Sequence, residues 1–128
     1  MIYLFVLGRV LLGGYFLKNA YNHFKNSNAL TGYAQSKGVP VPNLAVMLTG
    51  LMLLFSGLGI LLGVYVGFAI LLLAIFLIGV TFQMHQFWKV TEPMARMGEE
   101  INFYKNLALL GAVLMLTAIP LPWALSLF

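Results

Sequence analysis

Long apolar segments alternate with short polar connections along the chain. A helix rises about 1.5 Å per residue, so about 20 mostly apolar residues are needed to cross about 30 Å of hydrocarbon. Four segments meet this requirement, and they cover about residues 2–24, 44–63, 65–88 and 101–121. The pattern therefore predicts an all-α fold, an integral membrane four-helix bundle in one domain that covers residues 1–128.

The connections between the apolar segments predict how the spans are arranged. Pro40 and Pro42 in "GVPVPN" stop a helix before the second span. The connection "LGVYVG" is so short that spans two and three must be antiparallel neighbours, which favours an antiparallel up-and-down topology. Thr91 is suited to cap a helix, so the segment at about 92–100 is expected to form a short helix along the membrane interface.

The composition excludes a water-soluble protein and several classes of cofactor. Hydrophobic residues make up 62% of the chain and charged residues only 8%, whereas soluble domains carry about 25% charged residues. The absence of cysteine excludes thiol–disulfide chemistry, Cys-ligated zinc and iron–sulfur clusters, and we expect no metal site. The first span lacks a basic leader and a cleavage motif, so we interpret it as a permanent span.

The positive charges predict an orientation in the membrane. They lie in or beside the first and third connections, which fall at one membrane face: Lys18, Lys25, Lys37, Lys89, Arg96 and Lys105. The positive-inside rule then places both long loops in the cytoplasm and both termini outside. The net charge of +4 therefore relates to topology, and we expect no nucleic-acid partner.

The stretch "TFQMHQFWKVTEP" ends the third span with polar and aromatic residues, and it predicts a polar cluster. Thr81, His85 and Trp88 have the spacing i, i+4, i+7 and would share one helix face. Polar groups of other spans fall at the same depth: Asn19, His23, Glu99, Asn102 and Asn106. Polar side chains within spans usually face a bundle interior or a cavity. We therefore predict a polar cluster near the cytoplasmic face.

These residues also have plainer interpretations, which stay open. Trp88 with Lys89 is typical of an aromatic belt beside a snorkelling lysine. The two histidines can simply hydrogen bond near the headgroups, and the asparagines of the fourth span can join helices without binding a ligand. Glu99 and Glu100 are expected to form ion pairs on a wet surface, with Arg96 or Lys105 as their partners.

Arg9 lies well inside the first span, where a charge costs about 2.5–3.5 kcal/mol on insertion scales. The apolar parts of the spans contain neither Asp nor Glu, so no carboxylate at its depth can pair with it. Arg9 can snorkel toward the outer face, or it can hold an anionic or carbonyl-bearing ligand. Both interpretations remain open.

A quinone is the ligand that the polar cluster fits best. Its carbonyls want donors such as His, Asn or Trp, and its ring wants aromatic walls. Such walls are available at Phe24, Phe82, Phe87, Trp88 and Phe103. Haem held by His23 and His85 is not expected, because both lie near helix ends and no second pair supports them. No serine has a histidine and an acid at its depth, so a hydrolase is not expected either.

Four stretches resemble the DoxX family of small four-span bacterial membrane proteins: "GRVLLGGYFLKNAYNHF", "GYAQSKGVPVPNLAVMLTGLMLLFSGLGILLG", "TFQMHQFWK" and "INFYKNLALLGA". Together they cover nearly the whole chain, and their order and spacing carry the resemblance. Many members carry a glutamate in span two, where this chain has Met52 in "TGLMLLFSG". That difference argues against any role that depends on an intramembrane acid.

The resemblance implies a four-helix bundle in the bacterial cytoplasmic membrane, linked to quinone or oxidative-stress redox systems. We expect an accessory or binding subunit rather than a self-sufficient enzyme. This subunit would bind a quinone-like ligand or dock a soluble redox enzyme at its cytoplasmic loops. The alternative is a structural subunit or small-molecule carrier without a cofactor. Homo-oligomers are compatible with the exposed apolar faces. The predicted ligand-binding residues are Arg9, His23, His85, Trp88, Asn102 and Asn106.

Overall fold

The computed structural model describes residues 1–126, which form helices joined by short turns. Five α-helices follow one another: α1 Ile2–Lys25, α2 Ser27–Ser36, α3 Pro42–Leu62, α4 Val66–Met84 and α5 Pro93–Met115. Two turns of 3-10 helix, at Phe87–Lys89 and Leu116–Ala118, follow α4 and α5. No β-strand occurs among the described residues. The predicted all-α fold is confirmed.

Within residues 1–126, four helices are long and apolar enough to cross a membrane: α1, α3, α4 extended to Lys89, and α5 extended to Ala118. This confirms the predicted number of spans and implies a lipid bilayer as the environment of the protein. The antiparallel up-and-down order of these helices stays a prediction.

The short helix α2 was not predicted and lies in the first long connection. Leu30, Tyr33 and Ala34 have the spacing i, i+3, i+4 and therefore share one face of α2. This face packs against α3, and Ala34 is buried there. Gly38, with a φ of +79°, reverses the chain after the helix in a conformation that favours glycine. The first connection is thus an ordered segment, whose helix α2 packs against α3.

The helix α5 begins earlier than predicted. Pro93 occupies its first turn, where its missing N–H costs nothing. The Glu92 carboxylate caps it by accepting hydrogen bonds from the backbone N–H of Met94 at 3.2 Å and of Ala95 at 2.6 Å. The segment 92–100 is therefore not a separate interfacial helix, since residues 93–100 are the first turns of α5 and Glu92, not Thr91, is the cap.

The helix α3 packs against α1, α2 and α4, and the buried core is formed mainly by residues of α1, α3 and α4. Leu53 and Ile60 of α3 are fully buried. A Cβ atom on Gly13 of α1 would lie 3.0 Å from the Gly57 carbonyl oxygen, so the two backbones approach closely at this point. Small residues at such crossings let membrane helices pack by van der Waals contact, since lipid offers no hydrophobic driving force.

Candidate functional site

The helix α4 ends at Met84, and this ending determines where His85 lies. His85 has non-helical backbone angles of φ −116° and ψ 49°, and its N–H still donates to the Thr81 carbonyl at 3.3 Å. The predicted shared face of Thr81, His85 and Trp88 is therefore wrong, because the helix does not continue through Trp88. Leaving the helix turns His85 toward α5.

His85 meets the carboxylate of Glu99, which three side chains share. Its Nδ1–H donates to Glu99 Oε2 at 2.8 Å, and the Tyr33 hydroxyl donates to Oε1 at 2.6 Å. The Lys37 Nζ lies 3.9 Å from Oε1. We call Tyr33, Lys37, His85 and Glu99 the carboxylate cluster. The expected pairing of Glu99 with Arg96 or Lys105 is wrong, because the carboxylate turns inward to α2 and α4 rather than along its own helix.

The partners of Glu99 compensate for its partial burial. A carboxylate withdrawn from water is costly unless it is hydrogen bonded and paired, and two donors with a nearby ammonium provide this. Burial, the hydrogen bond to Glu99 and the charge of Glu99 together raise the pKa of Tyr33. Tyr33 therefore stays a hydroxyl donor. With Nδ1–H held by the carboxylate, Nε2 is the ring nitrogen of His85 that is left for a ligand.

An apolar cavity of about 360 Å³ lies beside the cluster, between α2, α3 and α4. Most of its wall is aliphatic or aromatic, with residues such as Val46, Met52 and Phe76. A few polar side chains interrupt the wall: His23, Tyr33, Thr49, Gln83 and His85. An apolar cavity with a small number of placed polar groups is the usual form of a small-molecule site, and its volume is within the usual range of about 300–1,000 Å³.

His23 reaches the same cavity from α1. Its Nδ1 lies 2.8 Å from the Asn19 carbonyl oxygen, one turn back on the helix, and its ring is 6.2 Å from that of Phe76. Of the six predicted ligand-binding residues, the structure therefore brings His23 and His85 to one cavity.

Arg9 lies apart from this cavity and is 4% exposed. Its guanidinium donates to the Ile60 carbonyl at 3.3 Å and to the Leu61 carbonyl at 3.0 Å, in the last turn of α3. It also donates to the carbonyls of Ala124 and Leu125. The final carbonyls of a helix have no partner within the helix, so Arg9 satisfies two of them and ties the carboxyl-terminal segment to α3. These contacts give Arg9 a structural role, and its role toward a ligand stays a prediction.

The other three predicted residues lie outside the cavity wall. Trp88 is half-exposed, and its ring centroid lies 5.7 Å from that of Phe103 in an aromatic group beside α5. The Asn102 Oδ1 accepts a hydrogen bond from Lys105 Nζ at 3.5 Å. Asn106 is buried within α5. Their roles in ligand binding stay predictions.

Tyr33 and Gln83 line the cavity and were absent from the predicted set. The Gln83 side chain donates to the Lys37 carbonyl at 2.9 Å and so fastens α4 to the end of α2. The signal for Tyr33 was present in "NSNALTGYAQSKG", which has cap-forming residues, an apolar face at i, i+3, i+4 and a glycine after the last turn. Because this segment was predicted to be a loop, Tyr33 was not placed on a helix face and was not predicted as a site residue.

Comparison with known proteins identifies a family. The family model described as DoxX matches residues 4–86, which include His23, Tyr33 and His85 but end before α5 and Glu99. The match is shorter than the nearly complete resemblance expected from the sequence. Comparisons with curated proteins and with solved structures give no match. Since the family model covers more than half of the chain, this multi-pass membrane protein belongs to the DoxX family.

Proposed function

We propose that the protein binds a flat, carbonyl-bearing molecule of the quinone class in the cavity between α2, α3 and α4. It would act as an accessory in redox metabolism rather than as a self-sufficient enzyme. The observation that carries this proposal is His85, which lies in the wall of an apolar cavity and is hydrogen bonded to Glu99 behind it. A wholly apolar cavity would offer nothing to orient a carbonyl group.

The chemistry of His85 matches both redox forms of such a ligand. With Nδ1–H donated to Glu99, neutral imidazole presents Nε2 as an acceptor, which suits the hydroxyl of a hydroquinone. The protonated ring presents Nε2–H as a donor, which suits the carbonyl of a quinone. Glu99 accepts the Nδ1–H hydrogen bond in both forms, and Tyr33 keeps the carboxylate oriented from the other side.

The remaining wall suits an unsaturated ring. The Phe76 ring and the thioethers of Met52 and Met84 line the cavity. Aromatic and sulfur atoms are polarisable, and they contact the face or edge of a ring favourably. The family relation supports this proposal only in part, since it identifies a membrane protein without identifying a ligand.

The location follows from the charges. We propose the bacterial cytoplasmic membrane, with the termini outside and the carboxylate cluster at the cytoplasmic side, because Lys25, Lys37 and Lys89 lie near the same ends of the spans as His85. A soluble redox enzyme at these loops and a homo-oligomer within the membrane are compatible with this arrangement.

The test begins with the protein purified in mild detergent. Solvent extraction with mass spectrometry and an ultraviolet–visible spectrum would identify a bound quinone, and a Soret band would identify haem instead. Binding of a short-chain ubiquinone and of a naphthoquinone is then titrated. The informative variant is His85→Asn, because an asparagine amide can still donate to Glu99 but lacks a counterpart of Nε2. We expect it to weaken binding about tenfold, as the loss of one hydrogen bond predicts.

Gln86→Ala is the matched control, because Gln86 is the next residue but does not line the cavity. The proposal fails if the protein carries no quinone and binds neither probe. It also fails if His85→Asn binds as tightly as the wild-type protein. Either result would favour the alternative of a structural subunit or a carrier without a cofactor.

A further inference from the structure

A second concave surface lies on α1, and it shares no residue with the cavity of the proposed function. This polar groove has a volume of about 390 Å³ and is formed by the second half of α1 and its C-cap. Its charged groups are Lys18 and Lys25, and its amides are Asn19, Asn22 and Asn26. The tyrosines that complete it lie beneath ammonium groups, since Lys25 Nζ is 5.5 Å from the Tyr21 ring centroid.

The polar groove carries positive charge that no carboxylate balances. The chain contains three acidic residues, and none of them lines the groove. Glu92 caps α5, and Glu99 is held in the carboxylate cluster. A third cation is close, because Lys105 Nζ lies 5.9 Å from the ring centroid of Tyr15 at the groove's edge. An anion is therefore the complementary ligand.

The amides add a donor to this charge. The Asn26 amide donates to Asn22 Oδ1 at 2.5 Å, and the Asn19 amide donates to the Tyr15 carbonyl at 3.1 Å. These bonds leave the Asn22 NH₂ group without a partner among residues 1–126. Ammonium groups with an amide donor between them match the acceptor oxygens of a phosphate group.

The same face of α1 becomes apolar toward the other membrane side. Leu4, Leu11, Lys18 and Lys25 follow one another at intervals of seven residues, which is close to two helical turns. Leu4 and Leu11 are 67% and 65% exposed, so they form an apolar lane on the surface of α1 that is open to lipid and adjoins the polar groove. By helical rise, Lys18 lies about 10 Å from Leu11 and about 21 Å from Leu4. The distance from Lys18 to Leu4 therefore exceeds the thickness of one hydrocarbon leaflet, which is roughly 15 Å.

From these observations we propose that the polar groove binds an anionic phospholipid. Lys18, Lys25 and the Asn22 amide hold the phosphate group, and an acyl chain lies along Leu11 and Leu4. Free phosphate would use the charges alone, but it would leave the adjoining apolar lane without a role. On this face of α1 the leucines are followed by the lysines. The leucines match the acyl chain of a lipid, and the lysines match its anionic headgroup.

The experiment titrates the detergent-purified protein with phosphatidylglycerol, phosphatidylcholine and inorganic phosphate, and it counts bound molecules by native mass spectrometry. The test variant is Lys18→Gln with Lys25→Gln. The control variant is Lys89→Gln with Arg96→Gln, which removes the same charge outside the groove. We expect one tightly bound phosphatidylglycerol per chain, and about tenfold to thirtyfold weaker binding in the test variant alone, since each lysine near an anionic headgroup contributes roughly a factor of five.

Three results would overturn the proposal. Equal affinity for phosphatidylcholine would show that the phosphate-side charges do not select an anionic lipid. An equal loss in both double variants would show a general effect of charge rather than a site. Displacement of the lipid by millimolar inorganic phosphate would show that the groove recognises a free anion. Circular dichroism of each variant ensures that a loss of binding reflects the groove rather than unfolding.

Discussion

His85 and Glu99 are joined by a hydrogen bond of 2.8 Å between Nδ1 and Oε2, across the point where α4 ends and α5 begins. The carboxylate is shared with Tyr33, so one side chain links the first connection, the end of α4 and the second turn of α5. Under the proposed function, structural support and ligand recognition depend on the same group. Substitutions at Glu99 should affect both.

The first prediction concerns Glu99→Gln. Tyr33 and His85 both donate to the carboxylate, but an amide has one oxygen and an NH₂ group, so one donor would face another donor. We expect the free energy of unfolding to fall by about 1–3 kcal/mol, as for a buried polar group without a partner. Thermal unfolding in detergent, followed by circular dichroism, measures this. Glu100→Gln is the control, since that residue is exposed, and equal stability of the two variants would contradict the prediction.

The second prediction concerns Arg9→Lys. The guanidinium bridges carbonyls of α3 and of the carboxyl-terminal segment, whereas an ammonium offers fewer donors and no fixed fork. We expect a loss of roughly 2 kcal/mol or more and faster proteolysis of residues 119–126. Arg96→Lys is the control at an exposed position. A protease pattern identical to that of the wild-type protein would show that Arg9 does not hold this segment.

The hydrophobic pattern predicted the four spans because crossing hydrocarbon imposes a length and an apolar composition on each helix. It could not predict the end of α4 at Met84, because Gln83, His85 and Gln86 neither break nor cap a helix strongly. The chain leaves the helix there because His85 gains a partner on α5, and that contact is tertiary. The residue at which α4 ends is therefore only weakly indicated by the local sequence.

The candidate site was predictable to the same limited extent. The depth argument brought His23 and His85 together correctly, since helical rise relates sequence position to depth. It could not show that Glu99 turns inward. An acid near a membrane surface can face water or pair with a nearby base, and the sequence does not distinguish these two environments. The contacts of Arg9 were not predicted for a related reason: its partners are backbone carbonyls, and these have no signature in the sequence.

The third prediction concerns the crossing of α1 and α3. A methyl group on Gly13 would lie 3.0 Å from the Gly57 carbonyl oxygen and from the Leu61 backbone nitrogen, and neither backbone atom can rotate away. We expect Gly13→Ala to destabilise the protein by about 1–3 kcal/mol, as overpacking generally does. Gly14→Ala provides the control, because nothing lies within 4 Å of its added Cβ. If both variants melt at the same temperature, the two helices are not closely packed at this point.

The last prediction separates the cavity from the stability of the fold. Gly79 lines the cavity, and a Cβ atom there would meet no heavy atom within 4 Å. Gly79→Leu should therefore fill part of the cavity without strain and weaken quinone binding at least about tenfold, with no loss of thermal stability. Gly67→Leu, on the same helix and equally unobstructed, lies outside the cavity and should bind normally. Unchanged binding in Gly79→Leu, with the protein folded, would place the ligand elsewhere and leave the carboxylate cluster a purely structural role.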